Sequence, residues 1–271
     1  MAGNRKAAAA DLAYLRTNPP GHDGAMYYLH DLEALAVAAG FVGRFAEARA
    51  ASQEIARVEA ELSGRPDVEH FSGPFAMVLL RFQRWADVES LPVPADADAA
   101  AAFLSRFARG VAFAARGAFD KARAEREAFS RVVRSIPVHV RYRSNAMSVL
   151  VPVYETALDA RLAAAGDPAA AVGAWERAVA AQDRLEYHEP PPFYYPMRES
   201  LGAALLAAGR PADAEQVFRK ELAQHPKSGR ALLGLWRALQ ARHADAEAAR
   251  IHAAYVKAWS GSDVQLSLSE Y

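Results

Sequence analysis

The sequence contains no cysteine. Disulfides, thiolate zinc sites and cysteine nucleophiles are therefore excluded. It also has no excess of charge, with 32 basic side chains against 32 acidic ones. DNA- and RNA-binding chains carry a basic footprint, and polybasic membrane anchors need one too, so neither a nucleic acid nor a membrane is expected as partner. No run reaches the roughly 18 uncharged apolar residues of a membrane span. Near the start, Arg5 and Lys6 precede only Ala7 to Ala10 before Asp11, which is too short for a signal-peptide core. A soluble, cytoplasmic protein is expected. Glycine-rich phosphate loops are missing, so no nucleotide site is indicated. No Ser-His-Asp spacing stands out, and Asp11, Asp31, Asp159 and Asp183 read as capping or solvated helix residues.

What the chain does have is alanine, 63 of 271 residues. Its basic residues are nearly all arginine, since only Lys6, Lys121, Lys220, Lys227 and Lys257 are lysine. Ala, Arg, Leu and Glu are the strong helix formers, so helix is expected almost throughout.

An internal repeat organises that helix. Its clearest unit is Leu201-Gly202, then Gly209-Arg210-Pro211-Ala212-Asp213-Ala214, then Phe218 and Pro226. With Gly202 at position 8, Ala214 falls at 20, Phe218 at 24 and Pro226 at 32. This is the tetratricopeptide (TPR) pattern of two antiparallel helices. Small residues at 8 and 20 let the helices approach, the large residue at 24 fills the gap, and proline ends the second helix. The turn recurs from Gly43, Gln83, Gly117 and Gly166, and in degenerate form at Ala241 to Ala246. Each has Ala or Val five places on. Successive turns begin 40, 34, 49, 43 and 32 residues apart. The longer offsets require connections or extended helices. Gly64 to Asp67 and Leu91 to Asp98 read as connections. Arg134 to Pro137 reads as a helix end, and Val138 to Ala165 as a first helix of twice the usual length with Pro152 inside it. Leu185 to Pro196, with three consecutive prolines, reads as a polyproline-like segment lying against the stack. Val264, Leu266 and Leu268 alternate with polar residues, as an extended tail on the last repeat would.

In TPR proteins the first helix of each pair lines the concave surface through positions 2, 5, 9 and 12, which share one helical face. That register places His30 and Glu33, His70 and Gly73, Leu104 and Phe107, Val153 and Thr156, and Glu199 in the groove. His30, Glu33 and His70 together suit a divalent metal such as Fe, Zn, Mn or Cu. The same residues also suit contacts to a partner peptide or small ligand, or internal hydrogen bonds. Tyr194 matches Tyr28, as Glu199 matches Glu33, so Tyr then Glu recurs at one face. Tyr187 and Phe193 read as capping the core between repeats. Arg198 with Glu199, and Arg141 with Arg143 and Asn145, could hold an anion bidentately or form internal salt bridges. His22, His225, His243 and His252 read as solvated, with His139 and His188 intermediate.

Beyond a generic repeat, the chain resembles a family of bacterial TPR-containing proteins of largely unassigned function. The residues that carry this are Tyr28-Leu29-His30-Asp31-Leu32-Glu33, Arg81-Phe82-Gln83-Arg84-Trp85, Ala108-Arg109-Gly110 with Ala114 to Gly117, and Glu189 to Gly202. Members of that family tend to carry a second histidine where Glu33 stands here.

The expected fold is an all-α, TPR-like solenoid, a right-handed superhelix of about six antiparallel helix pairs. Residues 1–20 form an N-terminal helix or leader, 21–258 the solenoid and 259–271 the tail. The expected function is binding of a peptide or small ligand in the concave groove, through Tyr28, His30, Glu33, His70, Arg141, Asn145, Tyr194, Arg198 and Glu199. The alternative is a metal-dependent oxygenase or hydrolase on this scaffold. There His30, Glu33 and His70 would hold the metal, and Tyr194 or Glu199 would act as acid or base. Self-association through the exposed end of the stack, giving a homo-oligomer, is a third reading.

Overall fold

The computed structural model describes residues 2–18, 22–62, 73–93, 99–137, 139–164, 168–194 and 196–267. Thirteen helices and one two-stranded hairpin occur among them. Helix α1 (Ala2–Thr17) packs on α2 (His22–Phe41), which pairs with α3 (Phe45–Glu61). The short pair α4 (Pro74–Arg81) and α5 (Trp85–Glu89) follows, then α6 (Ala99–Ala115) with α7 (Phe119–Ser135). Strands β1 (Arg141–Tyr142) and β2 (Asn145–Ala146) lead into α8 (Met147–Ala163), which pairs with α9 (Pro168–Gln182). The last pairs are α10 (Met197–Ala207) with α11 (Pro211–Gln224) and α12 (Gly229–Ala241) with α13 (Asp245–Trp259). The fold is thus an all-α, TPR-like solenoid of six helix pairs, preceded by one extra helix.

One turn geometry joins the two helices within a pair. Gly43, Gln83, Gly117, Gly209 and His243 all have positive φ, between 55° and 75°. In each case the next residue donates its N–H to a carbonyl five places back: Arg44 to Ala39, Arg84 to Leu79, Ala118 to Phe113, Arg210 to Leu205 and Ala244 to Leu239. This left-handed cap satisfies carbonyls that the helix end would leave bare. It corrects the sixth turn, which begins at His243 and not at Ala241. The shift makes the last offset 34 residues and brings Arg230 to position 2 of its repeat. Histidine, not glycine, occupies the left-handed position there, so the turn carries no glycine mark in the sequence. The Gly166 turn lies outside the described residues.

Position 20 is closed in every repeat. Ala48, Val88, Ala122 and Ala214 are fully buried, as nearly are Ala171 and Ala248. Phe218 at position 24 is also fully buried, and a Cβ placed on either Gly202 or Gly234 would overlap its ring. Alanine here sets helix spacing, and a few aromatic rings fill the gaps that result.

Two segments differ from the sequence reading. Val138 to Ala165 is not one double-length helix. A β-hairpin pairing Arg141 with Ala146 and Tyr142 with Asn145 precedes a helix of 17 residues that contains Pro152. Tertiary bonds override helix propensity there: buried Asn145 accepts a 2.9 Å bond from the Glu186 N–H. The hairpin turn also needs Arg143 at φ 56°, which costs a non-glycine residue about 1–2 kcal/mol. The second is at the tail, which folds back on the last repeat, where the Trp259 indole N–H donates to Val264 O at 3.1 Å, and also reaches beyond it. Asp263 reaches the first repeat, accepting from the Phe45 N–H at 2.6 Å and the Ala46 N–H at 2.9 Å while its own N–H donates to Gly43 O at 3.1 Å. Arg44, at the start of α3, makes no side-chain cap of its own, so Asp263, 218 positions beyond Phe45, supplies it. The connection Gly64 to Asp67 and most of Leu91 to Asp98 lie outside the described residues, as does Leu268.

Candidate functional site

The segment from Glu186 to Pro196, here the strap, has neither helix nor strand among its described residues; its first part, Glu186 to Glu189, is largely exposed, and from Pro190 on it is mostly buried. Phe193 and Tyr194 are its buried anchors. Phe193 sits edge-on to Tyr154 at 4.9 Å and near Phe107 at 6.0 Å, and the Tyr154 hydroxyl donates to Pro192 O at 3.2 Å. Phe193 thus packs into the core as expected. Tyr187 does the opposite and is 82% exposed.

Glu33 is the centre of the polar contacts that hold the strap. Its carboxylate is ion-paired to Arg143 on the hairpin turn and accepts a 2.5 Å bond from the Tyr194 hydroxyl. Arg143 also donates to Pro190 O at 2.6 Å and meets His188 Nδ1 at 3.2 Å. His30 Nε2 lies 3.0 Å from Glu189 O. Burial opposes the charge on Arg143, but neighbouring Glu33 outweighs it and raises the guanidinium above its ordinary value. Burial, reinforced by Glu33, pushes the Tyr194 hydroxyl well above its own. The phenol therefore stays a proton donor to the Glu33 carboxylate.

Glu199 sits in a second, separate node. It is ion-paired to Arg81, whose second guanidinium nitrogen lies 3.2 Å from Oε1, and it accepts from Ser228 Oγ at 2.7 Å. Arg230 donates to Arg81 O at 2.6 Å. Burial alone would raise the Glu199 carboxyl. The pull of Arg81, Arg230 and Ser228 exceeds it and holds the group below its usual range.

The residues singled out from sequence thus divide. Glu33 and Tyr194 meet, His30 reaches the same strap through Glu189 O, and Glu199 stands in another node. Tyr28 faces α3, donating to Glu54 at 3.1 Å, and burial, with Glu54, pushes its hydroxyl up to about 12. Arg141 turns back onto Ser144 O. Asn145 supports the start of the strap, and Arg198 pairs with Asp183 at 2.5 Å. His70 lies outside the described residues. Of the three metal-ligand candidates, His30 and Glu33 are therefore placed, and both carboxylate oxygens of Glu33 are engaged by Arg143 and Tyr194. Among the described residues no group of three or more His, Asp or Glu could hold a metal ion.

An open cleft of about 520 Å³ lies beside the strap, between it, the end of α9, the start of α10 and the end of α11. Prolines 191 and 192 and the rings of Phe41 and Tyr187 line it. Its charged lining among the described residues is uneven: Asp183, Glu186, Glu189 and Glu221 face it against Arg198 alone. His225, read as solvated, belongs to this wall. Its ring stacks on Phe41 at 4.7 Å, and its Nδ1 is 2.6 Å from Glu221. Sequence reasoning missed Glu221, Arg81 and Arg230. For Glu221 and His225 the available cue was their i, i+4 spacing at a helix end. For Arg230 it was the corrected register.

With this geometry described, the chain can be set beside known proteins. Residues 197–238, covering α10, α11 and most of α12, match the family model for the tetratricopeptide repeat. No curated protein and no solved structure matches the chain. No described helix is long and apolar enough to cross a membrane.

Proposed function

We propose that this tetratricopeptide-repeat protein is a binding scaffold that takes a short peptide segment of a partner protein into the cleft beside the strap. TPR stacks as a class are interaction modules that bind along their inner surface. In this chain the strap and the hairpin turn fill the part of that surface around Glu33. The open cleft is the observation that carries the reading. About 520 Å³ lies within the usual range of ligand sites. Its lining of proline edges, aromatic rings and unevenly signed charge offers both apolar contact and orientation. Tyr194 and Arg198 form part of this wall. His30, Glu33 and Asn145 act one step back, by fixing the strap that makes one side of it.

The test is amide hydrogen exchange on the chain with a retained pool of randomised nonapeptides. Protection should appear at Arg184 to Glu189 and at Gln224, with α1 unchanged. Protection confined to other surfaces, or failure to retain any peptide, overturns the reading.

A further inference from the structure

Four glutamates are buried among the described residues: Glu33, Glu125, Glu199 and Glu221. Three are neutralised by arginine. Glu33 pairs with Arg143, Glu125 with Arg106 and Arg109 at 3.0 and 2.8 Å, and Glu199 with Arg81. Glu221 is the exception. It is 1% exposed, yet among the described residues its carboxylate has a single partner, His225, through Oε1. Its other oxygen has none, and the residue lines the open cleft.

A carboxylate almost wholly withdrawn from water is costly unless a cation compensates it, and among the described residues the one group beside Glu221 is the His225 ring, with its second oxygen turned to the open cleft. Around it the cleft repeats the same imbalance. Asp183 is already paired to Arg198; Glu186, only loosely held with Arg141 at 4.0 Å, and Glu189, which accepts from the Tyr187 hydroxyl, are exposed on the strap. The missing element at this wall is positive charge.

We infer that the cleft reads a cationic side chain, the guanidinium or ammonium group of an arginine or lysine in the partner peptide, with Glu221 as its buried counter-charge and Glu186 and Glu189 as its rim. Arginine suits the site best, because its planar fork can bind a carboxylate bidentately and stack on the Tyr187 ring. The rim carboxylates draw the basic segment in, and Glu221 rewards the one side chain that reaches the floor. This assignment rests on the peptide-binding reading above.

Two measurements separate the inference from that reading. The first compares nonapeptide sub-pools whose central residue is fixed as Arg, Lys, Gln or Glu. The second titrates agmatine, with the neutral analogue pentylurea as control, and follows the His225 ring by NMR. The Arg and Lys pools should bind at least about tenfold more tightly than the Gln pool, and agmatine alone should shift the His225 signals. Both effects should vanish in Glu221→Gln at unchanged circular dichroism. If that variant misfolds, Glu186→Gln with Glu189→Gln, both exposed, should weaken the same preference several-fold. Peptides that protect the cleft without preferring Arg or Lys, and no agmatine shift, overturn the cation inference and leave the peptide reading standing. An agmatine shift without any peptide retention overturns the peptide reading and keeps the cation site. Neither effect overturns both.

Discussion

The Tyr194 hydroxyl donates to the Glu33 carboxylate across 161 residues of chain, at 2.5 Å. This bond joins the strap to the first repeat, and Arg143 closes the node from the hairpin. Removing each partner should cost differently. Tyr194→Phe keeps the ring and loses one charge-assisted bond, about 1.5–3 kcal/mol. Arg143→Ala leaves Glu33 buried without its cation, about 3–5 kcal/mol. Urea denaturation of the two variants and their double mutant reads the difference, and equal single costs would contradict the geometry. Glu33→Ala should likewise destabilise, so it cannot serve as a clean binding variant.

Glu199, the buried carboxylate among those held low, contributes to the acid limb of stability. Its folded value lies below the ordinary 4.5, held there against burial by Arg81, Arg230 and Ser228. A lowered carboxylate contributes stability that is fully present above its unfolded value and is lost as pH falls through the folded one. Wild type should therefore lose this contribution progressively from about pH 4.5 downward. Glu199→Gln should be weaker by about 3–5 kcal/mol at neutral pH and show a shallower decline in acid. Parallel stability curves for the two proteins between about pH 3 and 7 would show that the group does not titrate as described.

Asp263 caps α3 from the far end of the chain. Asp263→Ala should cost about 1 kcal/mol, as the loss of an N-cap side chain does. The Phe45 and Ala46 amides should also exchange with solvent faster, which NMR reads residue by residue. Unchanged exchange at both amides would mean that the tail contact does not persist in solution.

Gly202→Ala pits two effects against each other. Helix propensity favours alanine by about 1 kcal/mol. The new Cβ would, however, overlap the Phe218 ring, and overpacking a closed core costs about 1–3 kcal/mol. A lower melting temperature is expected. A gain would show that the ring has room to move.

The alternative metal reading has its own check. The Glu33 oxygens are already committed to Arg143 and Tyr194. Added Fe(II), Zn, Mn or Cu should therefore leave the melting temperature unchanged. A ligand that binds only the folded state must raise it, so a gain of several degrees with one of these metals would restore the His30, Glu33 and His70 set.

The repeat was readable because its punctuation is chemical. Glycine marks Gly43, Gly117 and Gly209 as left-handed positions, and Ala or Val five residues on marks the close approach. Where another residue takes the left-handed role the reading weakens. Gln83 was still found from its neighbours, whereas His243 was passed over and Arg230 with it. The hairpin at Arg141 to Ala146 left no local mark, since its stability comes from Asn145 and Arg143 bonding residues more than forty and one hundred positions away. The same holds at the cleft. That Glu221 stands beside His225 is visible in sequence. That it lacks an arginine, when Glu33 and Glu199 each have one and Glu125 has two, depends entirely on which side chains meet in space.

The Asp263 contact also changes what kind of object the stack is. An ordinary solenoid is quasi-one-dimensional, since each repeat feels only its neighbours and the ends can unravel alone. Here the last residues of the stack hold the first pair, with Trp259 packed against Gly43 and Asp263 against α3. Such a contact spans most of the chain and raises its contact order, so the clasp must form late and folding should be slower than for an open stack. Once formed it couples the two ends, and neither terminal repeat can fray without first breaking a bond to the other.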